Sequence, residues 1–171
     1  MKTATATRYS KLILPILEED RLPDLGPGQP NLKKKVLLEA LTPENAFPRV
    51  NDPNMAMLCL AALWLRHDFL EESHEISQIV KTPSGSYWHG IMHRREPDAW
   101  NAKYWFRQTG RHPALRKISD SFRRVYDPLE FVDRCESYRD TGSPDEMECK
   151  QIQLREWEVL FDWCYDKAVN G

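Results

Sequence analysis

The 171-residue chain has seven glycines and few β-branched residues, so it is short of the residue types that build tight turns and sheets. Leu, Glu, Arg, Lys and Ala fill most positions instead, which predicts an all-α protein. Long apolar runs are missing too. The only one near the start, "LILPIL", is broken by Pro15 and followed by acidic residues, which excludes a secretion signal or a membrane span there. We therefore expect a cytoplasmic protein with no membrane partner and a flexible start over about residues 1–10. Charge of one sign is lacking as well: 24 Lys and Arg oppose 26 Asp and Glu, for a net charge of −2. That balance excludes a broad basic face, and no nucleic-acid partner is expected.

Four cysteines, Cys59, Cys135, Cys149 and Cys164, show no CxxC spacing, and the apolar helical settings of Cys59 and Cys164 favour reduced core thiols. The HExxH signature, a nucleophile elbow, a glycine-rich phosphate loop and a Ser-His-Asp pattern are all absent, so no reaction is specified by motif.

What is present is helical periodicity punctuated by proline. The length suits a single domain, residues 1–171, built as a compact bundle of about six or seven helices. "LPDLGPGQP", residues 22–30, is too rich in Pro and Gly for a regular element and must be an ordered wrap or a linker. After a short helix capped by Asn31, residues 54–80 read as one long central helix. Its first half is apolar nearly all round, and the stripe through Leu60, Leu63 and Trp64 continues as His67, Glu71, His74 and Gln78. "KTPSGS" is expected to end that helix. A second runs from Tyr87 to Glu96, and a third, capped by Asp98, ends at Gly110; the short Pro97-Asp98 connection makes these two antiparallel. Two further helices follow Pro113 and Asp127. "DTGSPDEME" reads as a loop before a closing core helix that carries Ile152, Trp157, Leu160, Phe161 and Cys164 on one side.

Gly90, Ala102 and Phe106 stand at the spacing that lets two antiparallel helices approach closely, and over residues 86–114 the hairpin resembles a single tetratricopeptide repeat. No second copy occurs, and Pro113 is displaced by one position from that pattern. Where such repeats place leucine and tyrosine, facing the packed interior, this chain has His89 and His93. The segments "HDFLEESHEISQ" and "YWHGIMHRREPDAWNAKYWFR" together resemble a group of small helical bacterial proteins; that likeness implies a fold and no activity.

An antiparallel turn near Pro83-Ser84 would set His74 level with His93, Gln78 with His89, and Glu71 with Glu96. Glu71-x-x-His74 and His89-x-x-x-His93-x-x-Glu96 then form a ligand set for a divalent transition metal such as zinc, iron, manganese or nickel, with His67 or Asp68 adding a ligand or a supporting hydrogen bond. Without metal, His74 or His93 paired with Glu71 would form a proton-transfer unit. Gln78 and His67, with Arg94 and Arg107, are candidates for holding a small polar or anionic ligand. Arg95 and Arg111 offer the same fork chemistry, although Arg94 and Arg95 must point in different directions. Pairing of these arginines with Glu72, Glu96 or Asp98 is the structural alternative. Among Trp88, Trp100, Tyr104, Trp105 and Phe106 most are expected in the core, with Trp100 the best exposed stacking candidate. The competing functional class is a protein-interaction module in which the histidines belong to a structural polar network.

Overall fold

The computed structural model describes residues 8–171, and within them it holds ten helices and no strand. They are α1 (Leu14–Leu17), α2 (Leu32–Glu39), α3 (Pro43–Ala46), α4 (Pro53–Arg66), α5 (Leu70–Ser77), α6 (Pro83–Arg95), α7 (Ala99–Thr109), α8 (Pro113–Phe122), α9 (Pro128–Tyr138) and α10 (Pro144–Asn170). The all-α expectation holds, but the expected six or seven helices are too few. Two short helices, α1 and α3, lie in segments where no helix is expected, and the long 54–80 helix is two helices.

Proline explains several boundaries. Six helices begin with proline at their first position, behind caps at Thr42, Asp52, Thr82, His112, Asp127 and Ser143. Proline has no N–H to lose there and its φ is already helical, so it starts a helix as readily as it stops one. "KTPSGS" is accordingly the first turn of α6, with Thr82 Oγ1 accepting from Gly85 N, and "SPDEME" opens α10 behind Ser143.

The break in the long helix has a different cause. Asp68 adopts a left-handed backbone at φ 65°, and its carboxylate accepts from Arg95, Arg21 and the backbone N of Gln29. An aspartate tolerates this conformation better than most residues, and three donors hold it there. Helical phase is lost across His67–Phe69. His67 therefore leaves the stripe that contains His74.

α4 is the centre of the core. Ala56, Leu58, Cys59, Ala61, Ala62 and Leu63 are all fully buried in it, and the main apolar cluster draws on residues from Ile13 to Ala168. α10 closes one side. Trp157 donates from Nε1 to the Ala62 carbonyl at 2.9 Å and stacks on Phe161 with ring centroids 4.7 Å apart. A smaller cluster gathers Leu25, Phe131, Cys135, Cys149 and Ile152. All four cysteines are free and buried.

Residues 22–30 form an ordered wrap. Leu25 is buried; Gly26 and Pro27 offer their carbonyls to Arg95, and Pro23 and Asp24 offer theirs to Gln153. The expected flexible start falls mainly on residues 1–7, outside the described residues. Within them, Tyr9 packs against Phe161 and Tyr165 rather than hanging free. Among the described residues no helix is long and apolar enough to cross a membrane.

α6 and α7 form a closely packed hairpin. Gly90 permits it, because a Cβ there would lie 2.9 Å from the Phe106 ring. Ala102 on α7 is fully buried at the same junction. This packing fixes the direction in which each α6 side chain points, and three consecutive residues use it differently.

Candidate metal centre

His93, Arg94 and Arg95 end α6 and leave it in three directions, about 100° apart as a helix requires. Arg94 enters the core beneath α10. Its Nη2 donates to Glu156 Oε2 at 2.5 Å, its Nη1 to Oε1 at 3.3 Å, and its guanidinium lies 4.6 Å from the centre of the Phe131 ring. Gln153 Oε1 accepts a further bond, and Tyr126 donates to Glu156 Oε1 at 2.5 Å. Burial works against the Arg94 charge, but the Glu156 carboxylate outweighs it and holds the pKa above its ordinary value. Arg95 turns the other way and donates to Gly26 O at 3.1 Å, Leu65 O at 2.7 Å and the Asp68 carboxylate.

Neither arginine is available to a ligand. The pairing anticipated with Glu72, Glu96 or Asp98 is replaced by Glu156 and Asp68, which lie 62 and 27 residues away in sequence. Arg107 is exposed and takes no part in either network.

His93 faces the third direction, toward α5, where it meets His89 and His74. Donor nitrogens of the three imidazoles all lie within 4.8 Å of one another. His89 is sandwiched: its ring stacks on Trp105 with centroids 4.0 Å apart and on His93 at 4.8 Å. His74 stands edge-on to both, 4.8 Å from His89 and 5.4 Å from His93. A His-x-x-x-His pair on α6 and one histidine from the last turn of α5 thus converge from two elements.

Hydrogen bonding differs sharply among the three rings. His93 Nδ1 lies 2.9 Å from Glu96 Oε2. A carboxylate only accepts, so Nδ1 carries a proton, and in the neutral ring Nε2 keeps its lone pair. His89 is 3% exposed, yet neither of its ring nitrogens has a hydrogen-bond partner. Burial, then the neighbouring His93, His74 and Lys81, push its pKa down to about 3, so it is neutral at pH 7. Burial also lowers the His93 pKa, opposed in part by Glu96. Both rings are therefore in the protonation state that ligates metal.

The other anticipated ligands lie elsewhere. Glu96 supports His93 from behind and is not in the converging set, while Glu71 on α5 and Gln78 at its C-terminal cap are exposed. His67 is fully buried on the far side of the Asp68 break, with Nε2 2.9 Å from Ile16 O and Nδ1 3.1 Å from Asn31 Nδ2. Both of its nitrogens are used, and burial lowers its pKa. It anchors the N-terminal wrap.

A serine–histidine contact that sequence reasoning missed proves to be structural. His112 Nδ1 accepts from Ala114 N at 3.1 Å, so Nε2 must carry the proton that it donates to Ser84 Oγ at 2.9 Å. In that tautomer it cannot take the serine proton, and His112 caps α8.

Comparison with protein families, with curated proteins and with solved structures finds no match for this chain. Its chemistry has to be argued from the geometry alone. The geometry offers three converging imidazoles, two of them with pKa values lowered by burial, and one carboxylate that orients one of them.

Proposed function

We propose that the protein binds a divalent transition metal between α5 and α6, with His74, His89 and His93 as ligands. The observation that carries this reading is His89: a buried imidazole with neither nitrogen partnered, within reach of two more imidazoles. Leaving such a group unsatisfied costs about 1–3 kcal/mol, and a metal bond to one of its nitrogens would offset that cost. Zinc–imidazole bonds of about 2.0–2.1 Å in a tetrahedron put ligand nitrogens about 3.4 Å apart, so the present separations need only small side-chain rotations to close.

Three protein ligands leave a four-coordinate ion one position for water or a small anion, the arrangement found in catalytic rather than structural zinc sites. Glu96 on His93 Nδ1 supplies the carboxylate–histidine support that fixes a ligand ring and raises its basicity. His74 is only partly buried, so the solvent-facing side of the site lies beside it.

Metal content of the purified protein and calorimetric titration with Zn²⁺, Co²⁺ and Ni²⁺ test the proposal. One ion per chain is expected. His89→Phe and His74→Ala should each abolish stoichiometric binding, and Glu96→Gln should weaken it about 10–100-fold. Wild-type protein that takes up none of these ions, or a His89→Phe variant that binds as wild type does, would overturn it.

A second reading, a protein-interaction module, draws support from the outer face of α7. There Trp100 is 76% exposed and stacks on the half-exposed Tyr104. On that reading Trp100→Ala would abolish partner binding while leaving metal uptake intact.

A further inference from the structure

The Trp105 ring that covers His89 also walls a second cavity. This cleft, of about 420 Å³, lies between the start of α6 and the middle of α7 and is lined by Lys81, Thr82, Ser86, Tyr104, Trp105 and Gln108 among others. We propose that it binds a small aromatic carboxylate, a flat ring carrying one negative charge. The proposal is independent of the metal reading.

Three features of the lining select that class. The first is its aromatic corner. Tyr104 stands edge-on to Trp105, with an interplanar angle of 86° and centroids 5.2 Å apart. A flat ring laid on either wall meets the other edge-to-face, and both are favoured geometries between aromatic groups. The Trp105 wall is also rigid, because its ring stacks on His89 at 4.0 Å.

The second is charge. Lys81 is the only charged residue lining the cleft and no carboxylate joins it. Its Nζ lies 5.8 Å from the Trp105 centroid and donates to the Gln78 carbonyl at 2.7 Å, with no acidic partner among the described residues. One donor is satisfied by a neutral backbone oxygen, and an ammonium has three. An anionic oxygen beside the aromatic corner would take another.

The third is unused hydrogen-bonding capacity. Among the described residues the Ser86 hydroxyl and the Gln108 amide make no side-chain hydrogen bond, and Thr82 Oγ1 accepts from Gly85 N with its own proton still to give. An aromatic corner joined by a few convergent polar groups, in a volume of this order, fits a small-molecule cleft. A cationic ligand is disfavoured by Lys81, and an aliphatic one would forgo the corner.

The test uses the full-length protein and 2-naphthoate as the probe, followed by Trp fluorescence and by calorimetry. Saturable binding of one probe per chain is expected, with the neutral 2-naphthamide and the saturated cyclohexanecarboxylate each at least about tenfold weaker. Lys81→Met, which keeps the aliphatic stem at an exposed position, should weaken naphthoate by about tenfold while leaving the amide unchanged. Circular dichroism confirms that the variant is folded. Absence of saturation below about 10 mM naphthoate, equal affinity for the amide, or unaltered binding by Lys81→Met would each overturn the proposal. Metal titration of Lys81→Met should still give one ion per chain, which separates failure here from failure of the metal site.

Discussion

The last turn of α6 sends neighbouring side chains into two kinds of buried polar environment. Arg94 and Arg95 enter networks in which nearly every donor is met: Glu156, Gln153 and the Phe131 face for one, three backbone carbonyls and Asp68 for the other. His93 enters a cluster in which His89 has no partner at either nitrogen. Both environments are buried, and both would be costly if charged and unpaired. The first is satisfied within the chain except at Arg94 Nε, whereas the second leaves a whole ring, His89, without a partner. Folding alone accounts for the arginine networks, whereas the imidazole cluster is the one that the proposed metal would complete.

The largest way to break this contrast is to open the arginine network. Glu156→Ala would leave the Arg94 guanidinium fully buried without its counter-charge, and Tyr126 would lose its acceptor. A loss of about 3–5 kcal/mol is expected in urea or thermal unfolding. A loss under about 1 kcal/mol would mean that water reaches Arg94, and the description of that network as closed would fail.

The opposite sign is expected at His89. Phenylalanine keeps a flat ring between Trp105 and His93 and removes two unsatisfied nitrogens. In metal-free protein His89→Phe should leave stability unchanged or raise it by about 1 kcal/mol, measured by the same unfolding titration. Destabilisation on the scale of Glu156→Ala would show that His89 belongs to a structural network like those of the arginines.

The two environments also differ in how far the sequence reveals them. The histidine cluster is local: His89 and His93 share one helical face, His74 lies just across a short turn, and helical spacing alone brings them together. The arginine partners are distant in the chain, and no periodicity predicts that Arg94 meets Glu156 on α10 or that Arg95 meets Asp68. Asp68 also explains the principal misreading. Hydrophobic pattern continues smoothly through "WLRHDFLEESHE", and the left-handed turn that interrupts it is held by Arg21, Gln29 and Arg95. A backbone conformation imposed by tertiary donors leaves no local trace, and His67 falls off the stripe to which helical spacing assigns it. The helix starts at Pro83 and Pro144 are a different case. There Thr-Pro and Ser-Pro were in plain view, and a cap followed by proline reads equally as a beginning or an end.

The smallest expected effect separates the imidazoles by pH. His89 is held down to about 3 and His112 to about 4, in both cases chiefly by burial, against about 6.5 for an unfolded histidine. Between those values the unfolded chain binds more protons than the folded one, so stability rises with pH. The contribution is complete above about pH 6.5 and is lost as pH falls toward 4 for His112 and toward 3 for His89. Acidification should therefore lower the unfolding midpoint of metal-free wild type. It should lower that of His89→Phe less, because one depressed group is gone while His112, His67 and His93 remain. The stability advantage of His89→Phe over wild type should widen steadily from about pH 6.5 downward. A constant difference across that range would mean that the His89 ring titrates alike in folded and unfolded chains. Its nitrogens would then be solvated in the folded protein, and the reason for placing a metal there would be gone.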